Sequence, residues 1–247
     1  MARPSEEQTE LSKDRRGPSV NLPGQVKVTA VVPAFNEEQR IGAVIEVLRA
    51  TDSVHGIVVV DDGSTDATAD AALRNGHAGA VQGLASVHAI ALARNVGKGG
   101  AMTAGVRQTD ADVILFLDAD LIGLTSAHVD ALVGPVVSGE ADMAVGIFRG
   151  GRAITDLSQF LVPYISGQRA IRRDVFLAVP RVETARFAVE TMLTKYAKAH
   201  GLKVRSVPLF GVTHVMKEEK RGLLRGILDR ARMYRDIARS LIRNGRG

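Results

Sequence analysis

Charged side chains suited to a metal-bound, anionic ligand recur in this chain at the ends of apolar runs. In Asp112-Val-Ile-Leu-Phe-Leu-Asp-Ala-Asp120, five apolar residues lead straight into two carboxylates separated by one small residue. In an extended segment residues i and i+2 point to the same side, so Asp118 and Asp120 are expected to face one cation together. Oxygen ligands suit Mg²⁺ or Mn²⁺. Asn36 and Glu37 follow an earlier apolar run, Asp61 and Asp62 follow the next, and Lys98 lies in the loop Asn95-Val-Gly-Lys-Gly-Gly100. Carboxylates at strand tips accept hydrogen bonds from ribose hydroxyls and base N–H groups, and a lysine in a glycine-rich loop can approach a diphosphate. Each feature has a plainer alternative: an Asp-rich turn for the D-x-D, a standard turn for Asp61-Asp62-Gly63, a solvated helix-start lysine for Lys98. Gathered on one edge of one sheet, they describe a nucleotide-diphosphate ligand with a bound divalent cation.

The elements that position these groups follow from periodicity. Strands are expected at 27–33, 56–60, 86–91, 113–117 and 142–148. Helices are expected at 40–50, from an N-cap at Ser64 or Thr65 to about Asn75, from the glycine loop to about Gln108, and at 127–137. The unbroken apolar character of 113–117 is that of a strand buried on both faces. Strand-helix units repeated at this spacing predict an α/β fold with a mainly parallel sheet flanked by helices, whose ligand site lies beyond the C-terminal strand ends. After Phe148 the rhythm breaks. Residues 149–165 read as a mobile connection, Gly167–Arg173 as the start of a short element reaching Val179, 188–200 as a helix and 204–209 as a late strand. Residues 1–25, polar and without periodicity, read as a disordered tail. The domain layout is thus a tail over 1–25, a folded domain over 26–215, and a basic amphipathic helix over 216–247 with apolar residues at Leu224, Ile227, Leu228, Ala231, Tyr234, Ala238 and Leu241.

Composition narrows the class. The chain has 247 residues, 45% hydrophobic and 24% charged, as in ordinary globular proteins. It has no cysteine, which removes disulfides, thiolate metal sites and cysteine nucleophiles. No apolar run approaches a membrane span and the N-terminus lacks a signal-peptide core, so a soluble, cytoplasmic protein is expected. The net charge of +5 is concentrated in residues 217–247, with ten Lys/Arg against four Asp/Glu. One local basic face and a lack of Trp argue against nucleic acid as a partner.

Familiar nucleotide and hydrolase motifs do not fit. The first strand-to-helix turn, Pro33-Ala-Phe-Asn-Glu-Glu38, has no glycine, and the later Gly97-Lys-Gly99 is followed by Met102 where a dinucleotide fingerprint needs its third glycine. A P-loop needs glycine where Leu92 stands. Neither H-E-x-x-H nor G-x-S-x-G occurs.

Val31-Val-Pro-Ala-Phe-Asn-Glu-Glu38, Val60-Asp-Asp-Gly-Ser-Thr-Asp66, Asn95-Val-Gly-Lys-Gly99 and Leu117-Asp-Ala-Asp120 appear in that order. As an ordered set over roughly residues 27–215 they resemble the family 2 glycosyltransferases of the GT-A fold, which use nucleotide-diphospho-sugars. The resemblance implies a UDP- or GDP-sugar donor and Mg²⁺ or Mn²⁺. It implies that Pro33, Ala34, Phe35, Glu37 and Asp62 hold base and ribose, that Lys98 lies near the nucleotide, and that Asp118, Ala119 and Asp120 form the metal and donor site. His214, in Gly211-Val-Thr-His214, matches a segment where some relatives supply a metal-binding histidine; a structural histidine at an element junction is the alternative. Arg186-Phe-Ala-Val-Glu190 resembles the segment carrying an acid near the acceptor. That makes Glu190 the candidate base, with Glu183 in reserve and a helix-dipole role as the alternative.

Two acceptor classes match the resemblance: a polyprenyl phosphate at a membrane surface, and a small phosphorylated acid such as 3-phosphoglycerate. Gly167, Gln168 and Arg169 are the candidate acceptor contacts, and Arg169, Arg172 and Arg173 could clamp an acidic group; a surface helix with arginines in solvent is the alternative. The C-terminal helix suits an anionic bilayer at the inner face of the membrane, or packing on the core or on a second copy in a homodimer. The processive Gln-x-x-Arg-Trp pattern is absent, since Gln168-Arg169 is followed by Ala-Ile. A non-catalytic nucleotide-sugar-binding or membrane-recruitment module and a nucleotidyltransferase are the competing functional classes.

Overall fold

The computed structural model describes residues 26–77, 85–149, 166–185 and 188–214. The expected tail over 1–25, nearly all of the connection 149–165 and the C-terminal helix over 216–247 lie outside the described residues. The first part of the described chain is a run of strand-helix units. These are β1 (Val28–Ala34), α1 (Ile41–Arg49), β2 (Gly56–Asp61), α2 (Thr68–His77), β3 (Ser86–Ala91), α3 (Lys98–Val106) and β4 (Val113–Phe116). A two-residue strand β5 (Leu121–Ile122), α4 (Ser126–Val137) and β6 (Met143–Arg149) follow. After 166 come β7 (Arg169–Arg172), α5 (Arg173–Ala178), a 3₁₀ turn (Val182–Thr184), α6 (Val189–Ala199), β8 (Val204–Phe210) and β9 (Thr213–His214).

Seven strands form one sheet in the order β3-β2-β1-β4-β7-β6-β8, and β5 pairs with β9 in a second, small ribbon. β3, β2, β1 and β4 run parallel, β7 is antiparallel to both β4 and β6, and β8 is parallel to β6. Strand order reverses between β1 and β4, because β2 and β3 are added on one side of β1 and β4 on the other. That is the switch point at which open α/β sheets leave a crevice for ligands.

Alternation along β1 explains why both faces carry helices. Ala30 and Val32 pack in the cluster containing Ile41, Ile45 and Leu48 of α1 and Leu132 of α4, while Val31 packs in the cluster of Met102, Phe116, Phe176 and Leu193 on α3, β4, α5 and α6. All four residues of β4 are buried, as a strand covered on both faces requires. On the second face the Phe116 and Phe176 rings meet with centroids 5.0 Å apart.

Three expectations need correction. The helix after β2 starts at Thr68 rather than after a Ser64 or Thr65 cap. Both cap candidates are already bonded to Asn36: its N–H donates to Ser64 Oγ (2.8 Å) and its Oδ1 accepts from the Thr65 N–H (2.9 Å). The chain then turns once more, and the Asp66 carboxylate accepts from the Thr68 N–H at 3.1 Å. β4 stops at Phe116, where its ladder with β7 ends at the pair Phe116–Arg169, so Asp118 and Asp120 lie beyond the strand with Ala119 and Asp120 in a turn. Finally, Gly167–Arg173 does start an element reaching Ala178, but the alternative of a surface helix fails. The segment leads into β7, which sits inside the sheet between β4 and β6.

The second face is drawn tight at Gly99, whose N–H donates to the Ala185 carbonyl at 3.0 Å. A Cβ built at Gly99 would stand 2.2 Å from the Val182 carbonyl oxygen and 2.4 Å from that of Ala185. Backbone atoms cannot swing aside as side-chain ends do, so Gly99→Ala is expected to lower stability by about 1–3 kcal/mol, read as a drop in the urea midpoint with an unchanged slope.

Candidate functional site

The site grows from three turns that hold one another. Asn36 takes a left-handed conformation (φ 57°) after β1, which asparagine tolerates better than most residues. Its two bonds to the β2–α2 turn are joined by one from the Glu37 N–H to Thr68 Oγ1 (2.9 Å). Asp61 and Asp62, 6% and 4% exposed, then divide the work at the end of β2. Asp61 Oδ1 accepts the Ser64 N–H at 2.9 Å, closing its own turn. Asp62 reaches across to the glycine loop, where Oδ1 accepts from the Val96 N–H (2.7 Å) and Oδ2 from the Gly97 N–H (2.9 Å). Both oxygens of Asp62 thus fix the backbone immediately before Lys98.

Lys98, the first residue of α3, is the centre of the arrangement. Its Nζ lies 2.6 Å from Asp118 Oδ1 and 2.7 Å from Glu190 Oε1, with side-chain exposures of 23%, 30% and 10% for the three residues. Burial alone would lower the pKa of this ammonium; the carboxylates of Asp118 and then Glu190 outweigh burial and raise it above the ordinary lysine value. Asp118 Oδ2 accepts a further bond from Gln168 Nε2 at 2.8 Å. Gly167 is packed against the same pair, since a Cβ there would meet Lys98 Nζ at 2.5 Å and Asp118 Oδ2 at 2.7 Å. A side chain at 167 would have to displace the ends of Lys98 and Asp118 and so disturb the ion pair.

Arg169 lies beneath this surface. It is 0% exposed, and its guanidinium donates to the Ser166 carbonyl (2.5 Å) and the Glu190 carbonyl (3.3 Å). Burial pushes its pKa down to about 10, and the charges of Glu190 and Asp118 oppose that fall. Arg172, at the other end of β7, pairs with Asp142 (3.1 Å) and Asp174 (2.5 Å). Arg172 and Arg173 line a separate cleft with Asp110, Asp112 and Asp174, beside Val113 at the start of β4. The three arginines expected to clamp one acidic group are therefore split between opposite ends of β4, because residues three apart on a strand neither share a face nor reach the same edge.

The remaining candidates fall around the same C-terminal edge. Phe35 is 36% exposed just past β1, whereas Ala34 and Ala119 are 3% exposed and join the core. Asp120 immediately precedes β5, and β5 pairs with β9 so that Leu121 stands opposite His214. The second carboxylate of the D-x-D and the histidine therefore occupy adjacent backbone positions despite their distance in sequence. Among the described residues no cluster of three His, Cys, Asp or Glu side chains forms a ready cage. By residue type the set nevertheless suits a hard or borderline divalent cation: the carboxylates of Asp118 and Asp120, and a histidine paired with Leu121, the residue after Asp120. Glu183, the reserve acid, is exposed on the 3₁₀ turn, whereas Glu190 is turned in to Lys98.

Sequence reasoning did not anticipate the bond from Lys98 to Glu190, nor the double use of Asp62 by the Val96 and Gly97 amides. No spacing rule connects α3 to α6. The only trace in the sequence is Gly99, the glycine that lets the 182–185 segment approach.

The Lys98 bridge has a testable energetic signature. Lys98→Met leaves two carboxylates facing each other without a cation and is expected to cost about 1–3 kcal/mol at pH 7, less than a fully buried pair because all three groups retain solvent contact. A raised lysine pKa contributes stability that is fully present below the unfolded value and is lost as pH rises through the higher folded value. The advantage of the parent over Lys98→Met in urea melts should accordingly hold from pH 7 to about 10 and shrink only above that.

Comparison with known proteins agrees with this architecture. Residues 29–180 match the model of the family described as Glycosyl transferase family 2. An uncharacterised protein of Methanocaldococcus jannaschii is 27% identical over 79% of this chain and 85% of its own length. The undecaprenyl-phosphate 4-deoxy-4-formamido-L-arabinose transferase of Serratia proteamaculans is 37% identical, over 38% of this chain and 29% of its own length. The fold resembles that of glucosyl-3-phosphoglycerate synthase from Mycobacterium tuberculosis, whose crystal structure in complex with Mn²⁺, uridine-diphosphate-glucose and phosphoglyceric acid aligns with a TM-score of 0.62. That alignment has 28% identity and covers 77% of this chain and 72% of that one. With a family match over more than half its length and a mixed, mainly parallel sheet of the same kind, the chain belongs to glycosyl transferase family 2, with the GT-A fold and the glycosyltransferase class that go with it.

Proposed function

We propose that this protein transfers a sugar from a UDP-sugar to a phosphorylated acceptor with the help of Mn²⁺ or Mg²⁺. The observation that carries the reading is the placement of Lys98, held by Asp118 and Glu190 at the crevice where strand order reverses. The donor is favoured by the solved synthase, which binds UDP-glucose with Mn²⁺. A phosphorylated acceptor is favoured by both named relatives, one acting on a lipid phosphate and the other binding phosphoglyceric acid.

In this reading Pro33, Ala34, Phe35 and Glu37 receive the base and ribose at the end of β1. Asp62 acts through the loop it bonds, setting the height of Lys98 beside the diphosphate. Asp120 and His214, together with Asp118, would hold the cation. When bound, the cation supplies Lewis-acid neutralisation of the charge that develops on the departing diphosphate. Lys98 adds a fixed positive charge for the same purpose, the electrostatic contribution that usually dominates group transfer. With a hydroxyl acceptor, its oxygen attacks the anomeric carbon, the bond to the β-phosphate breaks with its electron pair, and Glu190 accepts the hydroxyl proton. Gly167 and Gln168 border the space an acceptor would enter. A soluble enzyme with one face near the membrane is compatible with the described part of the fold, in which no helix is long and apolar enough to cross a bilayer.

The test is release of UDP from UDP-glucose, with 3-phosphoglycerate or undecaprenyl phosphate as acceptor, with and without Mn²⁺. Metal-dependent release in the presence of one acceptor is expected. Asp120→Ala should retain the fold by circular dichroism and lose on the order of 10²- to 10³-fold in kcat. Tight donor binding with no turnover on any acceptor would identify a binding module instead, and near-parent turnover in Asp120→Ala would remove the carboxylate from the metal site.

A further inference from the structure

Buried arginines are rare unless paired, and Arg169 forms no ion pair within bonding distance among the described residues. Its guanidinium is instead spent on two backbone carbonyls. One belongs to Ser166, just before the glycine that abuts Asp118; the other belongs to Glu190, in the first turn of α6. Its Nε has no hydrogen-bond partner among the described residues. The Ser166 hydroxyl extends the strut by donating to the Gly146 carbonyl of β6 at 2.5 Å. Arg169 therefore ties the entry of β7 to the start of α6, and the Ser166 hydroxyl extends the tie to the middle of β6.

The charge count of the site supports the same conclusion. Asp118 and Glu190 carry two negative charges, Lys98 one positive charge, and Arg169 the fourth charge that makes the group neutral. Without it, the Asp118–Lys98–Glu190 cluster would carry a net negative charge beside a donor whose diphosphate is itself anionic.

We propose that Arg169 is a positioning residue for sugar transfer: from beneath the site it locks the Glu190 backbone and balances the Asp118–Lys98–Glu190 charges, without touching the acceptor. This rests on the reading of the protein as a sugar transferase and adds the residue that holds the candidate base in place. A strut of this kind has a kinetic signature. Glu190 displaced by part of an ångström loses contact with the acceptor proton, which lowers kcat. An acceptor that never meets Arg169 keeps its KM.

The experiment compares the parent with Arg169→Met and Arg169→Lys in full-length protein, using UDP release with Mn²⁺ and the acceptor on which the parent turns over. Folded protein is quantified by circular dichroism, and rates are expressed per folded molecule. Arg169→Met is expected to lose at least tenfold in kcat, to bind UDP-glucose more weakly, and to leave the acceptor KM within twofold. Arg169→Lys, which keeps the charge and loses the two-carbonyl bridge, is expected to recover donor binding and only part of kcat. A raised acceptor KM with kcat preserved would make Arg169 an acceptor contact and overturn the proposal. Parent-like kinetics in folded Arg169→Met would reduce it to a core residue, as would failure of both variants to fold. Absence of turnover in the parent is a separate result, which strikes the transferase reading itself.

Discussion

A buried positive charge needs company, and in this fold the need is met by bringing together parts of the chain that share no local relationship. Lys98 starts α3, Asp118 follows β4 and Glu190 lies in the first turn of α6, yet Lys98 Nζ lies 2.6 and 2.7 Å from the two carboxylates. Desolvation lowers the pKa of such a lysine, and two carboxylates more than offset that fall. Because one partner belongs to the first half of the sheet and the other to a helix that follows β7, the ion cluster fastens the late part of the chain to the early part. The close approach of Gly99 to the 182–185 backbone and of Gly167 to Asp118 are steric conditions for the same cluster, since a Cβ at either position would hold its neighbours apart.

Much polar chemistry at the strand ends is internal. Asn36 with Ser64 and Thr65, Glu37 N–H with Thr68, and Asp62 with the 96–97 amides form a chain of bonds from the β1 turn through the β2 turn to the glycine loop. Residues that look like a ligand-binding signature are thus partly the scaffolding of the surface that a ligand would meet. That surface is preorganised: the 96 and 97 amides and the Asp61 and Asp62 carboxylates are already oriented by their bonds, so little reorganisation of these turns is left for the moment of binding.

The fold was legible because its strands are marked by unbroken apolar runs and its helices by threefold-to-fourfold spacing, and nearly every boundary up to β6 falls within a residue or two of the pattern. Legibility failed where long-range pairing overrides local pattern. Gly167–Arg173 carries no strand-like alternation, but β7 pairs antiparallel with both β4 and β6, and Arg169 is tolerated there because two carbonyls accept its guanidinium. The three arginines looked like one clamp in the sequence; the strand's pleat and length sent them to different ends. Asp118 and Asp120 were rightly placed past β4, while the turn at Ala119 cancels the simple same-side argument. Glu190 could be singled out as an acid at a helix start, but its engagement with Lys98 depends on a tertiary contact that no spacing encodes.

The insertion of β7 between β4 and β6 also sets a schedule. β1 to β4 arise from neighbouring strand-helix units, each closing a short loop, whereas β7 has nothing to pair with until the strands on both its sides exist. Gln168 meets Asp118 across 50 residues of chain, and contacts of that span form late because the intervening loop must be closed first. During synthesis, then, a nascent chain that has emerged only through β6 has a nearly complete nucleotide half and a sheet with an open slot beside β4. When β7 enters that slot it brings Gly167, Gln168 and Arg169 to the Lys98–Asp118 pair, and Glu190, on the helix that follows, can join only afterwards.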